Sequence, residues 1–252
     1  MVVNTTWVLA IGLTAFVSMT HIFAPRVLNS KLLNRTSSRQ NAIASFAGGV
    51  AIAYVFVHLL PELAEGEKAF HQAGLAEALP DLFVQSSLFF VALIGLVTFY
   101  FLDAKAESKP NGSQQLYRIH LGMNALLSLI FAYTNFDRIE IGADFAILFA
   151  LVMSLHFILI DRGMVRAHPK LFRREDRWVL SAALALGLLL SFIAPPPNEL
   201  WVAIPMGFLG GAVLMGVFLE ELPSMKVARL GWFTFAVGLF SALLIWVSYT
   251  TF

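Results

Sequence analysis

Three polar side chains lie inside long apolar stretches of the sequence. His120 and Asn124 are four positions apart, so a helix places them on one face with about 6 Å of rise between them. His156 lies in the next apolar stretch, and counting from the stretch ends puts its imidazole at a depth similar to that of His120. Neutral imidazole binds zinc, iron or nickel, and an Asn carbonyl completes a weak site. We predict that these residues bind a metal ion; the alternative for each histidine is a hydrogen bond to a neighbouring helix.

Two further pairs could bind a cation at the ends of apolar stretches. His58 and Glu62 are one helical turn apart at the end of the second stretch. Glu220 and Glu221 directly follow the seventh stretch. We predict that ions enter at the first pair and leave at the second, the alternative being interfacial groups that face water or lipid headgroups. His21 and Asp161 are predicted to be interfacial, and His168 is predicted to lie in a loop; no functional role is predicted for them.

The composition indicates a membrane protein. The chain is 58% hydrophobic and 13% charged, with a mean hydropathy of +0.76, whereas soluble domains are about 45–50% apolar and about 25% charged. Apolar stretches of about 20 residues, enough to cross about 30 Å of hydrocarbon, occur eight times. They are Thr5–Pro25, Asn41–Pro61, Leu82–Leu102, Tyr117–Thr134, Ala143–Ile160, Trp178–Ala194, Trp201–Leu219 and Leu230–Tyr249. The predicted fold is one all-α transmembrane domain of eight helices.

The distribution of Lys and Arg predicts the orientation. Fifteen of the 17 basic residues fall in the loops after the first, third, fifth and seventh stretches, and the other two are Lys68 and Arg138. Because cytoplasmic loops are rich in Lys and Arg, both termini are expected on the non-cytoplasmic side, in the plasma (inner) membrane. Residues 1–6 carry no basic residue, so we expect the first helix to be retained rather than cleaved as a signal peptide. The absence of cysteine excludes disulfides and thiolate metal sites.

The second and seventh stretches resemble each other without gaps at an offset of 162 positions. Two opposed helices of similar sequence predict inverted three-helix units, residues 1–102 and 178–252, around a central pair at 117–160. Such repeats are typical of secondary transporters, and close helix packing is the alternative reason for the glycines. Pro61 and Pro223 are interpreted as helix terminators. The seven matched pairs are Phe46/Phe208, Gly48/Gly210, Gly49/Gly211, Val55/Val217, Phe56/Phe218, Leu60/Leu222 and Pro61/Pro223.

These features together resemble the ZIP family of divalent metal transporters. Gly48–Glu62 looks like the second helix of that family, and Gly210–Pro223 looks like its seventh. The resemblance implies a 3+2+3 arrangement of eight helices, termini outside, and a metal site built by the fourth and fifth helices from motifs such as HNxxD and HExxH. Here HLGMN keeps His120 and has Asn124 at the carboxylate position, and VMSLHFILID keeps His156. The chain is interpreted as a divergent member with a degenerate central site.

The leading hypothesis is a permease that moves zinc, iron or a similar divalent ion by alternating access past His120, Asn124 and His156. It is not expected to be an enzyme or to hold a resident cofactor. Its expected partners are the metal ion and the lipid bilayer, not nucleic acid, and a homodimer is left open. A pseudo-transporter that only binds or regulates is one alternative. The other is a metal-dependent intramembrane hydrolase using Ser154, His156, His120 and Asp161, which is disfavoured because His156 and Asp161 lie about 140° apart around their helix.

Overall fold

The computed structural model describes residues 2–28, 38–72, 86–108, 114–168, 170–197, 200–222 and 228–251. These residues form helices and short connections, with no strand among them. The helices are α1 (Val2–Leu28), α2 (Ser38–Tyr54, continued by Val55–Leu59 and Leu60–Gln72), α3 (Ser87–Ser108), α4 (Gln114–Tyr133, continued by Asn135–Ile141), α5 (Ala143–Ala167), α6 (Asp176–Ile193), α7 (Leu200–Gly216, continued by Val217–Glu221) and α8 (Leu230–Thr251).

Each of the eight predicted membrane spans is confirmed. Within the described residues, eight helices are long and apolar enough to cross a membrane. Their outer surfaces carry large apolar side chains, and in the span of α8 only 17% of the residues are buried. Apolar exposure on this scale is typical of lipid-facing helices rather than of a soluble monomer. The chain is therefore an integral, multi-pass membrane protein.

The ends of the helices meet in two groups, which define the two ends of the bundle. In one group, His21 in the second half of α1 and Asp161 in the second half of α5 contact Arg177 at the beginning of α6. In the other, Arg138 near the end of α4 contacts Glu62 in the second half of α2 and Met206 in the first half of α7. We call the second group the terminal end, because α1 begins and α8 finishes there. The first group is the basic end.

The prediction that Pro61 terminates the second helix is wrong, because α2 continues through it to Gln72. The turn immediately before the proline, Val55–Leu59, is π-helical, and Leu60 donates its N–H to the carbonyl of Val55, five residues back. A wider turn accommodates a ring that would otherwise clash with the carbonyl four residues back. Pro223, the other predicted terminator, lies outside the described residues.

The extension of α2 also positions α3. The carboxylate of Glu67 is buried and accepts the backbone N–H groups of Ser87 at 2.9 Å and Leu88 at 2.7 Å. An acidic side chain at a helix N-terminus satisfies N–H groups that have no partner within the helix and interacts favourably with the helix dipole. This acid therefore has a structural role in joining two spans.

Two structural features recur at the offset of the sequence repeat. α7 contains a π-helical turn at Val217–Glu221, which is 162 positions after the π-helical turn of α2. α2 packs most extensively on α8, and α7 packs most extensively on α3. A Cβ on Gly49 would meet the backbone of α8, and one on Gly211 would meet the backbone of α3, so equivalent glycines allow equivalent close approaches. The complete 3+2+3 arrangement stays a prediction.

Candidate functional site

A small cavity lies between α3, α4, α5 and α7 in the basic half of the bundle. Its volume is about 40 Å³, and a water molecule needs roughly 10–15 Å³ on the same measure, so it has room for an ion with a few waters. Its lining combines apolar side chains with imidazole, amide and carboxylate groups. The lining residues are Phe99, Asp103, His120, Asn124, Leu127, His156, Ile160, Gly163, Met164, Ala212, Met215 and Gly216.

The structure brings the three residues of the predicted central site together in this cavity. His120, Asn124 and His156 all line it, and all three side chains are buried. The position of His156 depends on α7, because a Cβ on Gly216 would lie 2.6 Å from Cε1 of His156. Only glycine leaves space for the imidazole there. The role of the three residues as metal ligands stays a prediction.

A carboxylate that sequence reasoning missed also belongs to this cavity. Asp103 of α3 lies with Oδ1 3.4 Å from Nε2 of His120. Asp103 directly follows the predicted third span, Leu82–Leu102. Its role depends on the contact between the end of α3 and the beginning of α4, which the sequence alone does not specify.

His168 is a second residue whose importance the sequence did not reveal. The structure extends α5 to Ala167, and the imidazole of His168 is buried with Nε2 3.3 Å from Nδ1 of His120. Its ring packs edge-on against Tyr117, with the ring centroids 5.3 Å apart. Burial lowers the pKa of His168, so the imidazole is neutral at neutral pH and its nitrogen can bind a cation or accept a hydrogen bond. His120 thus has a close neighbour at each ring nitrogen.

The polar side chains of the cavity do not converge on a single position. Among the described residues, no three His, Asp or Glu side chains are arranged to hold a metal ion, and the chain has no Cys. Nδ2 of Asn124 has no hydrogen-bond partner among these residues, although it is buried. A buried amide without a partner is unfavourable by roughly 1–3 kcal/mol, so it favours a bound water or ligand beside it.

The predicted site where ions enter, at the terminal end, is in contact with a cation of the protein itself. Nε2 of His58 lies 3.4 Å from Oε2 of Glu62, as the helical spacing predicted. The other oxygen, Oε1, accepts a hydrogen bond of 2.8 Å from the guanidinium of Arg138, a residue that sequence reasoning counted as part of a loop. Arg138 is only 3% exposed. A divalent ion at Glu62 would compete directly with this guanidinium.

The second predicted pair is only partly described. The backbones of Glu220 and Glu221 belong to the π-helical turn of α7. Their side chains lie outside the part of the chain that the structure describes, so the predicted site where ions leave is left as a prediction.

A third polar cluster corrects the interfacial assignment of His21 and Asp161. Both residues have 0% exposure, and Nδ1 of His21 lies 3.1 Å from Oδ1 of Asp161. Arg177 donates to Oδ2 of Asp161 at 3.2 Å and to the backbone carbonyl of His21 at 3.3 Å. The cluster joins α1, α5 and α6 at the basic end, where a buried ion pair fixes their relative positions.

Two residues of the alternative hydrolytic site, Ser154 and Asp161, contact groups other than His156. Ser154 donates its hydroxyl to the carbonyl of Ala150 in its own helix at 2.6 Å. Asp161 contacts His21 and Arg177, and its five-residue spacing from His156 places the two side chains about 140° apart around α5. The described contacts of Ser154 and Asp161 therefore give no support to the hydrolase alternative.

No protein-family model, curated protein or solved structure matches this chain.

Proposed function

We propose that this protein transports a divalent metal ion, with the cavity between α3, α4, α5 and α7 as the central binding site. The observation that carries the proposal is the convergence of His120, Asn124, His156 and Asp103 on one cavity inside a transmembrane bundle. Polar and ionisable groups are costly at such positions and commonly mark an ion pathway. The resemblance to the ZIP family names the same class of cargo.

The donor groups support a borderline metal such as zinc or iron. Two imidazoles line the cavity, and a third, that of His168, lies within hydrogen-bond distance of His120, with Nε2 3.3 Å from Nδ1. Neutral imidazole with a nearby carboxylate suits this class of ion. A site with few protein ligands also releases its ion readily, as transport requires.

Alternating access accounts for the repeat and for the π-helical turns. We propose that the two units, α1–α3 and α6–α8, have inverted topology and exchange conformations around the central pair. The turns at Val55–Leu59 and Val217–Glu221 are places where the helix ladder is already interrupted, and such turns frequently occur at functional sites. The charge asymmetry of the loops supports termini outside the plasma membrane.

The test is uptake of radioactive zinc, iron and manganese by liposomes that contain the purified protein. Wild type is expected to take up at least one of these ions saturably, and His120→Ala/His156→Ala is expected to reduce the initial rate at least tenfold. Thr234→Ala is the control, since that hydroxyl is on an exposed position of α8 and bonds within its own helix. Absence of uptake for every metal by wild type would overturn the proposal.

One observation favours a second function, a metal-binding or regulatory membrane protein that does not transport. The described residues do not provide three closely arranged ligands of the His, Asp or Glu type. Metal binding measured by equilibrium dialysis, combined with no uptake in the same preparation, would identify this second function.

A further inference from the structure

We infer that Arg138 occupies, as a tethered cation, a second metal-ion site at the terminal end, formed by Glu62, His58 and Met206. A metal ion binds there only after the guanidinium has left. The inference rests on the proposed function for its role in transport, as the step that controls access from the terminal end. Its test, however, measures binding and not transport.

The guanidinium is in the position that an ion would occupy. One of its terminal nitrogens, Nη2, lies 2.8 Å from Oε1 of Glu62 and 3.3 Å from Sδ of Met206. Its Cζ lies 3.6 Å from the centroid of the Phe149 ring, a distance typical of a cation–π contact. These contacts come from α2, α5 and α7, so one side chain of α4 joins three other helices.

The pairing is incomplete for a buried arginine. Nε and Nη1 of Arg138 have no hydrogen-bond partner among the described residues, although the residue is 3% exposed. A guanidinium with a purely structural role pairs through its planar fork and satisfies most of its five N–H groups. Here one nitrogen makes both polar contacts, so few bonds hold the guanidinium in place. Its departure is correspondingly easier.

The groups that would remain after this departure suit a divalent metal ion. Glu62 offers a carboxylate, His58 an imidazole 3.4 Å from that carboxylate, and Met206 a thioether. The hydroxyl of Thr134 lies 3.3 Å from the same sulfur. This set of oxygen, nitrogen and sulfur donors favours a borderline or soft ion over magnesium or calcium.

A route to this site exists on the terminal side. Glu62 and Met206 also line a cavity of about 580 Å³, together with the carboxylates of Glu65 and Asp137. Acidic groups around an opening raise the local concentration of cations. The cavity therefore supplies ions to the position that Arg138 occupies, and the like charge of the guanidinium prevents simultaneous binding.

The test is Co²⁺ binding by the purified full-length protein in nanodiscs, followed by absorption and equilibrium dialysis. Arg138→Gln is expected to bind one more Co²⁺ per chain than wild type, with an affinity at least tenfold above any terminal-end binding of wild type. Arg138→Lys, which keeps the charge, is the matched control and is expected to resemble wild type. Glu62→Gln/Arg138→Gln is expected to lose the additional ion. Equal stoichiometry in wild type and Arg138→Gln, or an additional ion that survives Glu62→Gln, would overturn the inference.

A measurement on wild type covers the case in which Arg138→Gln does not fold. Co²⁺ at millimolar concentration is expected to increase the modification of Arg138 by phenylglyoxal at least threefold, as mapped by mass spectrometry, because the ion displaces the guanidinium. Unchanged modification would contradict the inference. His120→Ala/His156→Ala is expected to keep this response, so failure of the central site and failure of the terminal site give different results.

Discussion

The terminal end and the central cavity contain similar polar residues. They differ in which group lies against the negative charge of the carboxylate. Both combine a histidine with a carboxylate at 3.4 Å, His58 with Glu62 and His120 with Asp103. At the terminal end a buried arginine contacts the carboxylate. In the central cavity the carboxylate, two further imidazoles and an amide surround or adjoin a space of about 40 Å³.

The two sites therefore differ in whether a cation of the protein already contacts the carboxylate. At the terminal end a positive charge of the protein lies against the carboxylate, and we propose that it excludes other cations in this conformation. Among the described residues lining the central cavity there is no Lys or Arg side chain, so no basic group of that lining would repel an ion there. Under the proposed alternating access, this conformation would be closed at the terminal end.

The largest effect is expected from Glu62→Gln, which tests whether the terminal ion pair stabilises the fold. The variant leaves the buried charge of Arg138 without its anionic partner, and breaking a fully buried pair costs about 3–5 kcal/mol. Because the side chain of Glu62 is 30% exposed, we expect a smaller loss of about 2 kcal/mol, with partial recovery in Glu62→Gln/Arg138→Gln.

The matched variant in the central cavity is Asp103→Asn, which changes a carboxylate of similar exposure, 32%. Asp103 contacts a histidine and is partly exposed, so we expect a loss of stability of at most about 1 kcal/mol. The measurement is thermal denaturation in detergent with a chelator present. Equal destabilisation by the two variants would remove the distinction between the two sites.

A second prediction concerns the shape of the central cavity. Gly216→Ala places a Cβ 2.6 Å from the ring of His156, so the imidazole must move, and metal uptake should fall about tenfold. Overpacking of this kind costs about 1–3 kcal/mol of stability. Gly238→Ala on α8 is the control, because a Cβ there meets no atom within 4 Å. Uptake reduced equally by both alanine variants would show that the effect is not specific to His156.

The smallest effect is a pH dependence at the edge of the central cavity. Burial lowers the pKa of His168 from its ordinary value of 6.5. As the pH falls below 6.5 the unfolded chain binds a proton at this residue more readily than the folded protein, so the free energy of unfolding decreases. One such group contributes at most about 1.4 kcal/mol per pH unit. With a chelator present, wild type should lose more thermal stability between pH 7.5 and 5.5 than His168→Gln, and identical losses would refute this contribution.

The sequence predicted the parts of the molecule that depend on periodicity and length. Runs of about 20 apolar residues identified all eight spans, and the four-residue spacing of His120 and Asn124 correctly placed both on one face. The glycine contacts and the π-helical turns of α2 and α7 recur at the same offset of 162, although the sequence did not predict the π-helical turns. These features follow from local chain geometry, which sequence spacing encodes.

The missed residues depend on which helix ends meet. Asp103, Arg138 and His168 each lie at or beyond the end of an apolar stretch, where hydropathy favours an interface or loop. Arg138 and His168 are buried and Asp103 is partly exposed. All three are positioned by contacts with other helices, Asp103 and His168 with His120 and Arg138 with Glu62. A single sequence without pairing information does not specify these contacts, and the interfacial assignment of His21 and Asp161 was wrong for the same reason.

The most direct test of a central site with alternating access is zinc counterflow in proteoliposomes. Vesicles loaded with unlabelled zinc should take up a trace of external radioactive zinc faster than empty vesicles, because the ion returning from inside speeds the reorientation of the site. His120→Ala/His156→Ala should abolish this acceleration, and Thr234→Ala should keep it. Zinc uptake that is independent of internal zinc, and unchanged in the double variant, would contradict the account.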